Sequence, residues 1–393
     1  VGLNALRKTT SGVQNTGIGN RCLEENTTAS NNTGLGYKSL YVNTTGTSNT
    51  SLGSFALLSN TTASNNTAVG KDALLLNTTG TQNVALGANA LDSNTTANNN
   101  IGIGYFSLSS NTTGADNVAL GSQALDQNTT ASSNTAIGRS ALKQNTTGGF
   151  NTALGALALD ANTTANNNSA FGYSALGANT TGAGNTALGQ GALVANTEAD
   201  NNTAVGKDCC VSCTTGAENT AVGALSLDAL TTANHNSCLG DSSLTQVTTG
   251  TQNTAIGRAS GSSIIAGNNN TCLGYNSGTT ASPAGSIGNA SNIVVIGDNN
   301  VTHLYAKVSL TATSDERDKT DITDFTKGLD IVNALRPVTY KWDMRSDYDD
   351  NTPDGSKKGV STEVGLIAQE VLTVEKANGY ASSNDDSLIV DLS

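Results

Sequence analysis

Glycine recurs at positions 2, 19, 36 and so on to 274, seventeen glycines at an unbroken spacing of 17. A strict short period marks a repeat architecture, in which each unit contacts its neighbours and cannot bury its apolar face alone. The residue before each glycine is a large apolar one, from Val1, Ile18 and Leu35 through Phe171 to Leu273. Four residues before each glycine from Gly19 onward stands Asn, from Asn15 to Asn270. Three positions after each glycine comes Ala, Ser or Cys, and four after it Leu as far as Leu244, apart from Cys210. An Asn-Thr-Thr turn usually follows, alternating between an Ala form (Asn26-Thr-Thr-Ala) and a Gly form (Asn43-Thr-Thr-Gly), so that a 34-residue double repeat lies over the single one.

Seventeen residues are too few for a pair of helices with two turns, and one Gly with two Asn sites per period would break any useful helix. The period predicts two short strands and two turns per coil. The large apolar residue and the Leu are expected to point inward, the Ala and Ser positions to allow close approach, and Asn and Gly to supply positive φ at the turns. Stacked coils place identical residues in ladders, Asn on Asn and Leu on Leu. At ~4.8 Å per coil the stack would run ~80 Å. About two large apolar side chains per coil are too few for a free-standing stack, so the missing burial is expected from identical chains around a threefold axis.

Composition supports a thin structure. The chain has 43 Gly, 5 Phe and one Trp, and only 13% of its residues are charged. Residues 1 to 310 carry 24 charged side chains and a net charge of −4, whereas 311 to 393 carry 26 and −8. The expected organisation is a repeat shaft over 1–278, a transition segment with strands over 279–310 and a different domain over 311–393. The overall charge of −12 argues against nucleic acid and anionic membrane as partners, since both need clustered Lys and Arg. No run approaches 18 apolar residues and the chain does not open on a basic segment followed by an apolar one, so neither membrane insertion nor a leader is expected. Beginning at Val1 in repeat phase, the chain reads as a fragment.

The six Cys include the suggestive run Cys209-Cys210-x-x-Cys213, yet each Cys occupies a consensus repeat position. Buried free thiols are therefore expected rather than a metal or disulfide set. His235 and His303 are isolated, and neither a metal nor another cofactor is expected. The Asn-Thr-Thr runs match the glycosylation sequon, but turn chemistry accounts for them without sugars, and adjacent turn threonines do not make an ice-binding face.

The spacing Asn-Thr-Ala-Ile-Gly-x-x-Ala resembles the head repeats of trimeric autotransporter adhesins, which form trimeric β-rolls, although the adhesin repeat is slightly shorter. Repeats of this style also occur in phage tail fibres. After Gly274 the register is lost. Three later blocks, Ser314-Asp-Glu-Arg-Asp-Lys-Thr-Asp-Ile322, Arg336-Pro-Val-Thr-Tyr-Lys-Trp342 and Val364-Gly-Leu-Ile-Ala-Gln-Glu-Val371, with a helix expected over 328–335, resemble the C-terminal intramolecular chaperone of endosialidases and other phage fibres.

That resemblance implies a single self-cleavage at the Ser314-Asp315 step. Ser314 would be the nucleophile and Lys319 its partner, with Asp315 and Arg317 shaping the site. A Ser hydroxyl is a weak nucleophile until a base takes its proton, and a partly desolvated Lys can be neutral enough to do so. Asp318 stands where relatives often have an apolar residue and would tend to keep Lys319 protonated. Ending at Ser393, the domain would lack the helical tail of family members.

The expectation is thus an all-β shaft of 17-residue repeats, a trimeric β-roll or β-helix, followed by a small α+β chaperone domain. Its function would be structural, a homotrimeric tail fibre on the virion surface that meets a glycan or outer-membrane receptor on a host cell. A bacterial cell-surface trimeric adhesin is the alternative. A fibre-borne glycan depolymerase is a third reading, disfavoured because the shaft has no clustered carboxylates beyond Glu24-Glu25.

Overall fold

In the computed structural model the chain forms two compact units, Val1–Leu304 and Tyr305–Ser393, and the structure describes residues 2–304, 328–343, 348, 352 and 354–378. The first unit is a parallel β-solenoid. Its three-residue strands run from β1 (Thr16–Ile18) and β2 (Thr33–Leu35) at 17-residue intervals to β16 (Thr271–Leu273), followed by β17 (Val294–Ile296). Neighbouring strands pair in parallel and in register, Thr16 with Thr33 and Ile18 with Leu35, so the repeat becomes one continuous 17-stranded sheet.

The coil over 117–133 shows how the sequence does this. Val118, Ala119 and Leu120 form the strand; the pleat turns Ala119 fully inward and leaves Leu120 outside. Gly121, at φ 139°, then redirects the chain. A Cβ on the next glycine of this column, Gly138, would lie 2.5 Å from the Gly155 carbonyl oxygen of the following coil, so the corner admits no side chain. Ala124 and Leu125 bring the chain back across the interior, both fully buried.

Two expectations need correction. Each coil has one strand, not two: the returning segment alternates in the sign of φ, with Gln123 at 60° and Leu125 at 51°, and is not extended. It is nonetheless tied to the coils on both sides, since the Gln123 amide donates to the Tyr105 carbonyl at 2.8 Å and the Leu125 amide to Ala141 at 3.0 Å. The second correction concerns the large apolar residue before each glycine, which points outward. Its inward neighbour faces a narrow slot: at Gly34, which takes the place of the Ala, a Cβ would already lie 2.5 Å from Cys22 Sγ. Only a small residue fits beside the Leu from the returning segment, so Leu alone fills the interior.

The polar half of the interior consists of two Asn columns, as the ladder argument requires. In the column before the strands, the Asn134 amide nitrogen of the backbone donates to Asn117 Oδ1 at 3.0 Å, and Asn117 Nδ2 donates to the Ala131 carbonyl at 2.9 Å. In the turn column, Asn128 Nδ2 donates to Asn111 Oδ1 at 2.8 Å and to the Ala131 carbonyl at 3.0 Å. Buried amides this well paired do not carry the penalty of unsatisfied ones. The ten Asn of the Asn-Thr-Thr runs are all buried, so their amides are engaged in holding coils together. The turn column ends at Asn196, whose Oδ1 has no donor because Cys213 follows it and gives its thiol hydrogen to the Gly216 carbonyl. Beyond it the same column is apolar, Leu230, Val247 and Ile264.

The 34-residue double repeat also has a cause. In Ala-form coils a Ser, Asn or Asp follows the turn Ala, and its side chain accepts from a backbone amide of the preceding Gly-form coil. Examples are Ala115 to Ser132 Oγ at 3.0 Å, Thr81 to Asn98 Oδ1 at 2.7 Å and Ala183 to Asp200 Oδ1 at 2.6 Å. The repeat resumes after Gly274: β17 pairs with β16 at a spacing of 23, Thr271 opposite Val294, with the extra residues looped out.

The second unit is described in part. Helix α1 (Gly328–Ala334) covers the helix expected there, β18 (Val338–Tyr340) pairs antiparallel with β19 (Glu363–Gly365), and α2 is Ala368–Ala377. Among the described residues no helix is long and apolar enough to cross a membrane.

Candidate functional site

Ser314, Asp315, Arg317, Asp318 and Lys319 lie outside the described residues. What the structure places are the two blocks that follow them in the motif series. Residues of the second block form β18 and residues of the third form β19 and the start of α2, so the ladder of β18 and β19 brings both blocks together. Tyr340 stands over Gly365, where an added Cβ would come within 3.2 Å of its ring. Its own ring meets Trp342 edge to face at 5.3 Å.

Arg336, just before β18, grips Glu370 in the first turn of α2 with two parallel bonds, Nε to Oε2 at 3.0 Å and a second from an Nη to Oε1 at 2.5 Å. The pair holds the Glu370 carboxyl below the usual carboxylate range and raises the Arg336 guanidinium, as a forked charge-assisted bond should. Both side chains are exposed, so the pair positions the strand against the helix more than it stabilises them. Ile331 of α1 and Val371 and Leu372 of α2 are buried, while Leu329, Val332, Trp342, Val360 and Val364 are exposed. Among the described residues of this unit, these side chains present apolar surface.

The shaft presents a second such surface. On the outer face of the sheet the strand threonines form one column and the residues before the glycines another. Ile18, Leu35, Leu86, Leu120, Leu154, Leu188, Leu239 and Ile256 are each 43–52% exposed. In-register pairing makes this column continuous along the stack. Sequence reasoning took these residues for core; the strand pleat, with Ala between Thr and Leu, is the signal that sets them outside.

The remaining candidates are structural. All six cysteines are buried and free. Burial pushes the Cys213, Cys238 and Cys272 thiols up to about 11, which makes them poor nucleophiles. Glu24 is buried between Arg7 at 2.7 Å and Arg21 at 3.2 Å, and Glu25 meets Lys8 at 2.5 Å, so the one carboxylate pair of the shaft is engaged in ion pairs. His235 Nδ1 lies 3.0 Å from Glu218 Oε2 on the surface.

No curated protein matches the chain. Residues 314–380 match the family described as chaperone of endosialidase, and the chain is accordingly a β-solenoid shaft of 17-residue coils followed by a segment similar to that chaperone.

Proposed function

We propose that the chain is the shaft and assembly domain of a homotrimeric fibre of phage-tail type, carried on the virion surface and serving attachment to a host cell. One observation carries this reading: an outward column of large apolar residues, eight of them Leu or Ile 43–52% exposed, runs along a shaft that leads into a segment similar to the chaperone of endosialidase. Most coils bury one large side chain, Leu, so the stack is short of apolar burial for its surface. Three copies meeting along the column would supply it, and the repeat keeps like residues at one level around the axis.

The C-terminal segment would start the assembly and then leave. In this reading Ser314 is the nucleophile and Lys319 the base that takes its proton, with Asp315 and Arg317 around them, and the peptide bond broken is Ser314–Asp315. Cleavage after assembly traps the fibre, because unfolding can no longer be reversed by the domain that guided folding. Electrophoresis of the expressed precursor tests it: wild type should yield a shortened shaft, while Ser314→Ala and Lys319→Ala should each leave an uncut trimer. Cleavage of both variants at the wild-type rate would exclude the dyad.

A further inference from the structure

One outward column is more regular than folding requires. At the position after the repeat glycine stand Tyr37, Lys71, Tyr105, Arg139, Tyr173 and Lys207, one every 34 residues, aromatic and cation in strict alternation. The coils between them carry Ser54, Ala88, Ser122, Ala156 and Gln190 at the same place, and the alternation stops at Asp241. Tyr105 and Tyr173 are each 54% exposed, and the Lys and Arg side chains are exposed too, while Tyr37 meets Phe55 edge to face at 5.3 Å and Tyr105 meets Phe106 at 4.3 Å. Among the five Tyr of the coils, four lie in this column, the fourth being Tyr275.

We propose that this column is a binding track for an extended, hydroxyl-rich polysaccharide lying along the shaft. The inference rests on the fibre reading and places its attachment surface on the side of the shaft. A Tyr ring offers a broad apolar face with little side-chain entropy to lose, and the negative face of its π-system attracts the polarised C–H groups of a sugar ring. Tyrosines recur every four coils, ~19 Å apart, with a cation midway. Ala88 and Ser122 on the coils either side of Tyr105, and Ala156 before Tyr173, leave space at this place for a chain passing over the rings.

The charges select the ligand class. Lys71 pairs with Asp72, and Lys207 Nζ lies 3.6 Å from the Asp208 carboxylate, so two of the three cations are locally neutralised. A Lys beside an Asp offers donors and acceptors together, which suits sugar hydroxyls better than it suits a polyanion. Each contact is weak, and affinity accumulates from repeated contacts on one chain. Binding should therefore depend steeply on glycan length.

The test is retention of the whole chain on an array of bacterial surface polysaccharides, neutral and acidic, graded in length from disaccharides upward. Wild type should bind at least one neutral polysaccharide and none of its di- or trisaccharide pieces. The double variant Tyr105→Ser, Tyr173→Ser should bind at least tenfold more weakly, and Phe150→Ser, an exposed aromatic off the column, should bind as wild type does. The proposal falls if no polysaccharide is retained, if only polyanions are, if the double variant binds undiminished, or if it no longer assembles, which would make the column a subunit contact. Light scattering on the same samples reports separately on the fibre reading, since a monomeric wild type overturns that reading whatever the array shows.

Discussion

Leu125 and its counterparts sit at φ near 50°, a conformation that costs a non-glycine residue about 1–3 kcal/mol. The strain persists because the side chain is fully buried and the amide is bonded to the next coil at 3.0 Å. Gly138 is the reverse case, at φ 137° with no room for a Cβ. Gly138→Val should destabilise the shaft by about 2–4 kcal/mol per chain, read as a drop in melting temperature; an unchanged melting temperature would mean that the coil opens to admit the side chain. Asn128→Ala should cost about 1–3 kcal/mol, because it leaves Asn111 Oδ1 buried without its donor. Acid is expected to stabilise. Burial raises the carboxyls of Asp92, Asp160 and Asp228, which favours their protonated forms in the folded shaft. Their contribution is fully present below the unfolded value, ~3.9, and is lost as pH rises through the raised native values. Thermal melts of wild type and of the triple Asp→Asn variant should therefore converge at low pH and separate toward neutrality, the variant melting higher; identical curves at every pH would refute the point.

At the scale of the coil, the repeat was legible because each part of it answers to a separate physical demand. Gly121 makes the corner, Asn117 and Asn128 each donate to the like Asn of the preceding coil, and Ser132 accepts from the Ala115 amide. Less legible was the direction of Leu120. Ala119 and Leu120 are both apolar, and a three-residue strand is too short for alternation to declare which one is inside; the slot beside Leu decides it, and that slot exists only once the coil has closed. The coil ending in β17 was hidden by its changed spacing of 23, which hides Val294 from any search at period 17. Ser314 and Lys319 are candidates on their motif alone, since no periodicity reaches them.

For the whole molecule, the account turns on what covers the apolar column. Lys at position 120 would be harmless in an isolated chain, where the side chain is nearly half exposed and surface changes stay within about 0.5 kcal/mol. Around a threefold axis the same change would set three cations side by side in a desolvated contact, at a cost that the trimer cannot offset. The double variant Leu120→Lys, Leu154→Lys should therefore fail to form the trimer and melt far below the unaltered chain, while Thr135→Lys on the neighbouring column gives a smaller effect. The direct measurement is the mass in solution of the uncut Ser314→Ala chain by light scattering. The account predicts three times the chain mass of 39.6 kDa, a species lost when the two lysines are added; a stable, folded species of a single chain mass in the Ser314→Ala protein itself would contradict it.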